Sequence, residues 1–361
     1  MKKPILAILT DSIRYDNHIA LKYFTKFEVK HLYNNAPYRD LSEGQLSKAI
    51  KWDTFEELEQ KLIGLKPDII QGSEPYASKR ALRICLLTMK VARILGVPYI
   101  FPMLENRPVN KRFGGVTAFF LKRILKTYAQ KASLIFVLNN GARRNLLEVG
   151  TNPKKIIKML YGIWGIDTKI FKPLTKRYPL NAKRYVFYTG RIDEAKGIPY
   201  LLEAWNSIKA DFSDIELLFI GAGELADRIK GSQTKKMPSM KVQDLPPYFA
   251  NALFTVVPSV TLPRWEEQVG MVNLQSLACG TPVITTKSGA IPEYINDKVG
   301  ILVPERNSKV LAEAMRKLLE NEKMRNELGK NGREYILANF DAQKTIQLIE
   351  NILLELINLR T

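Results

Sequence analysis

Cysteine and histidine are nearly missing from this sequence: Cys85, Cys279, His18 and His31 are all it holds. Both cysteines sit in apolar surroundings without metal-ligand spacing, so buried thiols in a reducing compartment are expected, not a disulfide framework or a zinc site. Long hydrophobic runs are lacking too. No stretch approaches the roughly 20 apolar residues that span a bilayer. The N-terminal run Ile5–Leu9 is cut by Asp11 and Arg14, which reads as a first β-strand and not as a signal peptide. Acidic residues are scarce relative to basic ones, 36 Asp and Glu against 55 Lys and Arg, for a net charge of +19. Residues 1–168 hold 28 Lys and Arg against 14 Asp and Glu, whereas the remainder hold 27 against 22. A basic first half seeks phosphate, as anionic lipid, nucleic acid or a phosphorylated substrate; a solubilising surface is the alternative. No helix-turn-helix, zinc or RNA-binding signature is present, so nucleic acid is not an expected partner.

What is present reads as two α/β domains. The length of 361 residues suits two domains of about 150–200 residues each. Short apolar runs alternate with helical patterns: Ile5–Leu9, Asp68–Gln71, Val97–Pro102, Leu134–Leu138 and Ile156–Leu160, then Tyr185–Thr189, Glu216–Ile220, Phe254–Val257, Pro282–Thr285 and Gly300–Val303. Nearly continuous apolar strands are those of a parallel sheet covered on both faces. Two such sets predict two doubly wound, Rossmann-like domains. The expected boundaries are 1–168 and 169–340, with a basic connection at 175–184 and an amphipathic final helix, about 341–361, placed to pack back on the first domain.

Two motifs carry chemistry. The octet Gly190-Arg191-Ile192-Asp193-Glu194-Ala195-Lys196-Gly197 follows an expected strand directly. Gly190 permits a tight turn, Arg191 offers a planar fork to phosphate oxygens, and Lys196 adds a point charge where a helix starts. A solvated turn with an internal ion pair is the alternative. The second motif runs from Glu267 to Gln275. Gly270 lets the backbone approach a ligand, and a helix starting after it would aim the amides of Met271, Val272 and Asn273 at an anion. Glu267 could accept hydrogen bonds from sugar hydroxyls. The alternative is an ordinary amphipathic helix.

Taken together, Gly190-Arg191 with Lys196-Gly197, Gly221-Ala222-Gly223, Pro258-Ser259, Glu267 onward, Gly280-Thr281-Pro282-Val283, Ser288 to Glu293, Gly300 to Pro304 and the segment Gly165–Pro173 resemble retaining GT-B glycosyltransferases, most closely glycosyltransferase family 4. The resemblance covers roughly residues 160–340. It implies two Rossmann-like domains facing across a cleft, with an acceptor-binding first domain and a nucleotide-sugar donor-binding second domain. It assigns the donor diphosphate to Arg191 and Lys196, the donor sugar to Glu267, and the sugar–phosphate cradle to the backbone of Gly270, Met271, Val272 and Asn273, with Gly190 also in the donor site. Gln275 stands where the family places a second Glu against the ribose, and the segment 231–243, with Val242, falls where the family contacts the base. On the acceptor side the family's Gly-Gly loop is replaced by Thr10-Asp11-Ser12, which makes Asp11 and Ser12 candidates. The family's His is replaced by Glu105-Asn106, either site residues or a loop cap.

The implied reaction is transfer from a UDP- or GDP-sugar with retention, without metal or other cofactor, through front-face substitution. The different-class alternative is a sugar-nucleotide-binding protein that transfers nothing, epimerase-like or an inactive subunit; Gln275 and the absent Gly-Gly loop favour it. Around residues 111–128, a helical wheel puts Phe113, Val116, Phe120, Ile124 and Tyr128 on one core-facing side, with Phe119 opposite among Lys122, Arg123 and Lys126. An aromatic side chain among cations suits an anionic membrane interface. The expected setting is therefore cytoplasmic, peripheral on the inner face of the cell membrane, with a glycan or lipid-linked acceptor.

Overall fold

The computed structural model describes residues 2–38, 40–174 and 184–358. Most of the basic connection expected at 175–184 lies outside them. The chain divides into two compact units, Met1–Gly165 with Ala342–Thr361, and Ile166–Asp341.

The first unit is built on a parallel sheet of β1 (Ile5–Ser12), β2 (Glu28–Asn35), β3 (Ile50–Lys51), β4 (Ile69–Gln71), β5 (Tyr99–Met103), β6 (Leu134–Val137) and β7 (Ile156–Lys158), in the order β3-β2-β1-β4-β5-β6-β7. Alternation along β1 shows why its apolar run is continuous. Ala7 and Leu9 join one core with Ile70, Phe101 and the helices Lys79–Leu95 and Gly115–Lys131. Leu6 and Ile8 join a second core on the opposite face with Ile69, Ile100, Phe136 and Trp164. A strand buried on both sides has no polar face to show.

The helix Ala342–Asn358 helps to build that second core, contributing Ile346, Ile349 and Leu353. Glu350 on this helix is fully buried. Its carboxylate accepts the backbone N–H groups of Thr25 (2.7 Å), Lys26 (2.5 Å) and Phe27 (3.3 Å), and the Thr25 hydroxyl (3.1 Å). These bonds tie the last helix to a loop more than three hundred residues earlier.

The second unit repeats the plan with β8 (Arg184–Thr189), β9 (Ile215–Ile220), β10 (Thr234–Met237), β11 (Thr255–Val257), β12 (Val283–Thr286) and β13 (Gly300–Val303), all parallel and in the order β10-β9-β8-β11-β12-β13. Its core packs Val186, Tyr188, Leu217, Phe219, Val256 and Ile284 against the helices Ile198–Ile208 and Ser308–Glu320. Each unit is thus a parallel-sheet α/β domain, as expected.

Three strands were not expected. β2 interleaves Glu28, Lys30, His31, Asn34 and Asn35 with its apolar residues, and its buried His31 is accommodated by hydrogen bonds to Thr10 (2.8 Å) and His18 (3.0 Å). β3 is two residues long and β10 is a polar edge, Thr-Lys-Lys-Met. None presents the apolar run that two-faced burial requires.

The wheel through residues 111–128 needs correction. Gly114, at φ 78°, ends one helix at Phe113, and a second helix runs from Gly115 to Lys131. Its buried residues are Ala118, Leu125, Tyr128 and Ala129. Val116 (77% exposed) and Phe120 (60%) are not core, and they join Phe119 (53%) at the surface. The start of this helix overhangs the core, and Ala118 and Leu121 are the residues of its first two turns that pack on it.

Truncating Glu350 would leave several backbone amides without their acceptor. Glu350→Ala is expected to destabilise the first unit by about 3 kcal/mol, read by urea unfolding. A loss under about 1 kcal/mol contradicts the anchoring role.

Candidate functional site

In the second unit, the strand order turns back between β8 and β11, which are neighbours in the sheet but not consecutive in the chain. In an open α/β sheet, ligands bind outside the carboxyl ends of the strands at such a switch point. The octet leaves the carboxyl end of β8, and the segment from Pro258 to Gly270 leaves that of β11. The loops are locked together. A Cβ on Gly197 would lie 1.9 Å from the Pro258 carbonyl oxygen, and Val260 donates its N–H to Ala195 O (2.8 Å). On the far side a Cβ on Gly289 would lie 2.1 Å from the Glu267 carbonyl oxygen, so only glycine lets the Ser288-Gly289 turn pack there.

This locking brings Lys196 and Glu267 together. The Lys196 ammonium contacts Glu267 Oε1, and the Ser259 hydroxyl donates to the same oxygen (2.8 Å). Lys196 directly precedes Gly197, which caps the helix Ile198–Ile208, and its own N–H donates to Asp193 Oδ1 (3.0 Å). Arg191 is more open. Its guanidinium pairs with Asp193 Oδ2 (3.0 Å) and its side chain is 59% exposed. The arrangement offers two cations, each neutralised by a carboxylate, at the place where an anion would bind.

The helix expected after Gly270 runs from Met271 to Ala278, with Gly270 at its N-cap. The first-turn amides of Met271 and Val272 have no acceptor within their own helix. Asn273 differs: its N–H donates to Gly270 O (2.9 Å), and its buried side chain turns inward to Thr285 Oγ1 (3.2 Å). Gln275 is half-buried on this helix. Gly190 ends β8, and Val242 lies half-buried in a short 3-10 turn on the connection that leaves β10.

In the first unit Asp11 and Ser12 close β1 at its carboxyl end. Ser12 donates to Asn35 Oδ1 (2.8 Å), and Asp11 lies 3.6 Å from Arg80. Glu105 and Asn106 follow β5 but are buried. The Glu105 carboxylate receives the Arg107 N–H and Nε (3.0 Å each) and the Arg112 guanidinium. Asn106 packs against Gly141, where a Cβ would fall 1.9 Å from the Asn106 carbonyl oxygen. Glu105 is thus enclosed by two guanidinium groups, and Asn106 packs closely against the helix that holds Gly141.

Two residues escaped the sequence reading. The Trp265 ring lies over both cations, its centroid 4.8 Å from Lys196 Nζ and 5.7 Å from Arg191 Cζ. An aromatic beside the Glu267 motif was its available signal. Glu74, beyond β4, accepts the N–H groups of Leu104 (2.8 Å) and Glu105 (2.7 Å) and had no signal at all. Burial pushes its carboxyl up from the ordinary 4.5 to about 7.

Comparison with known proteins is consistent with this geometry. Residues 175–335 match the family "Glycosyl transferases group 1". The second unit carries the group 1 glycosyltransferase match. Among curated proteins, the chain is 30% identical over 180 residues to the capsular polysaccharide biosynthesis glycosyltransferase CapM of Staphylococcus aureus, covering 48% of this chain and 46% of that protein. It is 26% identical over 206 residues to a GDP-mannose-dependent monoacylated alpha-(1-6)-phosphatidylinositol monomannoside mannosyltransferase of Corynebacterium glutamicum, covering 52% and 54%. The aligned regions span about half the length of these curated relatives. The crystal structure of Anabaena HepE in complex with UDP superposes with a TM-score of 0.77 at 15% identity, covering 98% of this chain and all of that one. That likeness shows the GT-B fold, and the group 1 match falls on the unit that carries Arg191, Lys196 and Glu267.

Glu74 makes a pH prediction. A carboxyl whose pKa rises on folding stabilises the protein below its unfolded value, and that contribution is lost as pH rises through the folded value. The window is from about 4.5 to about 7. Glu74→Gln keeps an acceptor oxygen for both amides but never ionises. It should match wild type in thermal stability near pH 4.5 and exceed it near pH 8, by an amount on the order of 3 kcal/mol. Parallel stability–pH curves contradict this.

Proposed function

We propose that this chain is a nucleotide-sugar-dependent glycosyltransferase, retaining and independent of metal, with its donor site at the switch point of the second unit. The observation that carries the reading is the convergence of Arg191, Lys196 and Glu267 there, on loops that Gly197 and Gly289 hold in place. The group 1 match over the same residues supports it. A UDP-sugar donor is favoured, because HepE was solved with UDP and with UDP-glucose.

In this reading the diphosphate binds Arg191, Lys196 and the amides of Met271 and Val272. The sugar hydroxyls meet Glu267. The C–O bond from the anomeric carbon to the diphosphate breaks while the acceptor oxygen approaches from the same face. The acceptor's proton passes to the leaving phosphate oxygen, so no protein base is required. The protein's contribution is positive charge placed where negative charge develops. Removing one such donor typically costs about 2.7–4 kcal/mol in the transition state. Gln275 keeps an acceptor oxygen for a ribose hydroxyl while lacking the charge of a glutamate.

The acceptor is a glycan precursor, lipid-linked and presented at an anionic membrane surface. CapM and the phosphatidylinositol mannoside enzyme support this choice by their named substrates or pathways. So does the exposed set Val116, Phe119 and Phe120 on the same helix as Lys122, Arg123 and Lys126 in the more basic first unit. The Arg123 guanidinium covers the Phe119 ring at 4.6 Å. Each such cation near an anionic leaflet contributes about 1 kcal/mol.

Arg191→Ala is expected to lower transfer from UDP-glucose by about 100- to 1000-fold with unchanged thermal stability, since its side chain is largely exposed. Near-wild-type turnover contradicts the assignment, and turnover without transfer to any acceptor favours a non-transferring sugar-nucleotide enzyme. The protein should also co-sediment with phosphatidylglycerol-containing vesicles at low salt. The double variant Phe119→Ser, Phe120→Ser should lose most of that binding, and equal binding contradicts the membrane face.

A further inference from the structure

Of the four tryptophans in this chain, Trp52, Trp164 and Trp205 are at most 1% exposed, whereas Trp265 is only partly buried. Trp265 therefore does not fill a core. It sits at the end of a tight hairpin in which Leu262 and Trp265 exchange backbone hydrogen bonds (2.8 and 3.2 Å) around Pro263-Arg264. The hairpin is latched to the turn after β13. Thr261 donates its N–H and hydroxyl to the two carboxylate oxygens of Glu305 (2.7 and 2.8 Å), and Arg306 Nη2 donates to the Thr261 carbonyl (2.5 Å). Arg306 holds this contact with φ at 56°, a backbone region costly for a non-glycine residue. So much fixation of an exposed hairpin delivers one thing, the indole ring over Arg191 and Lys196.

We propose that Trp265 is a positioning residue for diphosphate binding, holding Arg191 and Lys196 in place when their carboxylate partners give them up. The proposal rests on the donor reading above. Asp193 and Glu267 neutralise the two cations in this structure. An arriving diphosphate competes for the same N–H groups, so those pairs must loosen. A ring face attracts a cation through its quadrupole and carries no net charge to repel phosphate. Trp265 alone among the contacts described here can keep hold of both cations without neutralising them. A carboxylate at this position would compete with the ligand, and an aliphatic side chain would not hold the cations.

The test compares wild type with Trp265→Leu and Trp265→Phe, using calorimetry with inorganic pyrophosphate, UDP, GDP and uridine. Wild-type acrylamide quenching supplies a second readout, since Trp265 is the least buried of the four tryptophans. Pyrophosphate and the favoured diphosphate should shield it. Trp265→Leu should weaken both by about tenfold and leave uridine affinity unchanged, while Trp265→Phe recovers most of the loss. Those results support the proposal. Equal pyrophosphate affinity in the Leu variant and wild type overturns it while leaving the donor reading intact. Shielding by pyrophosphate, with UDP and GDP binding no more tightly than pyrophosphate, supports the cation platform and removes the donor reading. No shielding by pyrophosphate or by either nucleotide overturns both.

Discussion

The contact between Lys196 and Glu267 is the constraint around which the second unit is arranged. Both side chains are largely withdrawn from water, at 17% and 10% exposure. Such a pair is costly to desolvate, and removing one partner typically costs about 3–5 kcal/mol. Stability alone is a weak reason to keep it, because apolar residues of similar volume often do as well. Under the donor-site proposal, this withdrawn, hydrogen-bonded pair at the carboxyl edge of a parallel sheet is stored positive charge, released when a stronger anion arrives.

The surrounding structure fixes the pair at one place. The switch between β8 and β11 opens the crevice. Gly197 and Gly289 let neighbouring loops approach where any side chain would clash with a carbonyl. Ser259 fixes the Glu267 oxygen that Lys196 contacts, and the Trp265 hairpin covers both cations from the side. The first unit uses similar economy elsewhere, with Glu350 and Glu74 each spending a buried carboxylate on backbone amides of a distant loop.

How much of this was readable in the sequence follows from physical cause. Strands buried on both faces, such as Ile5–Ser12 and Arg184–Thr189, announce themselves as apolar runs. β10 does not, because an edge strand needs no second apolar face, and β2 does not, because His31 is buried by pairing it with Thr10 and His18. The helix after Gly270 and the octet loop were legible because glycine and charge punctuate them. The surface position of Phe120 was not, since the wheel ran through Gly114 and periodicity cannot show where a helix outruns its core. The enclosure of Glu105 by Arg107 and Arg112, and the reach of Trp265 to Lys196, are tertiary contacts that no local pattern encodes.

If a diphosphate takes the paired cations of the second unit from their carboxylates, the Lys196–Glu267 contact must loosen on binding. The most direct measurement is a crystal structure of the full chain soaked with UDP. Phosphate oxygens within hydrogen-bonding distance of Arg191 and Lys196, with Lys196 Nζ withdrawn from Glu267, are the expected result. Nucleotide density away from residues 190–197 and 267–275, or a bound diphosphate that leaves the Lys196–Glu267 contact untouched, would contradict it.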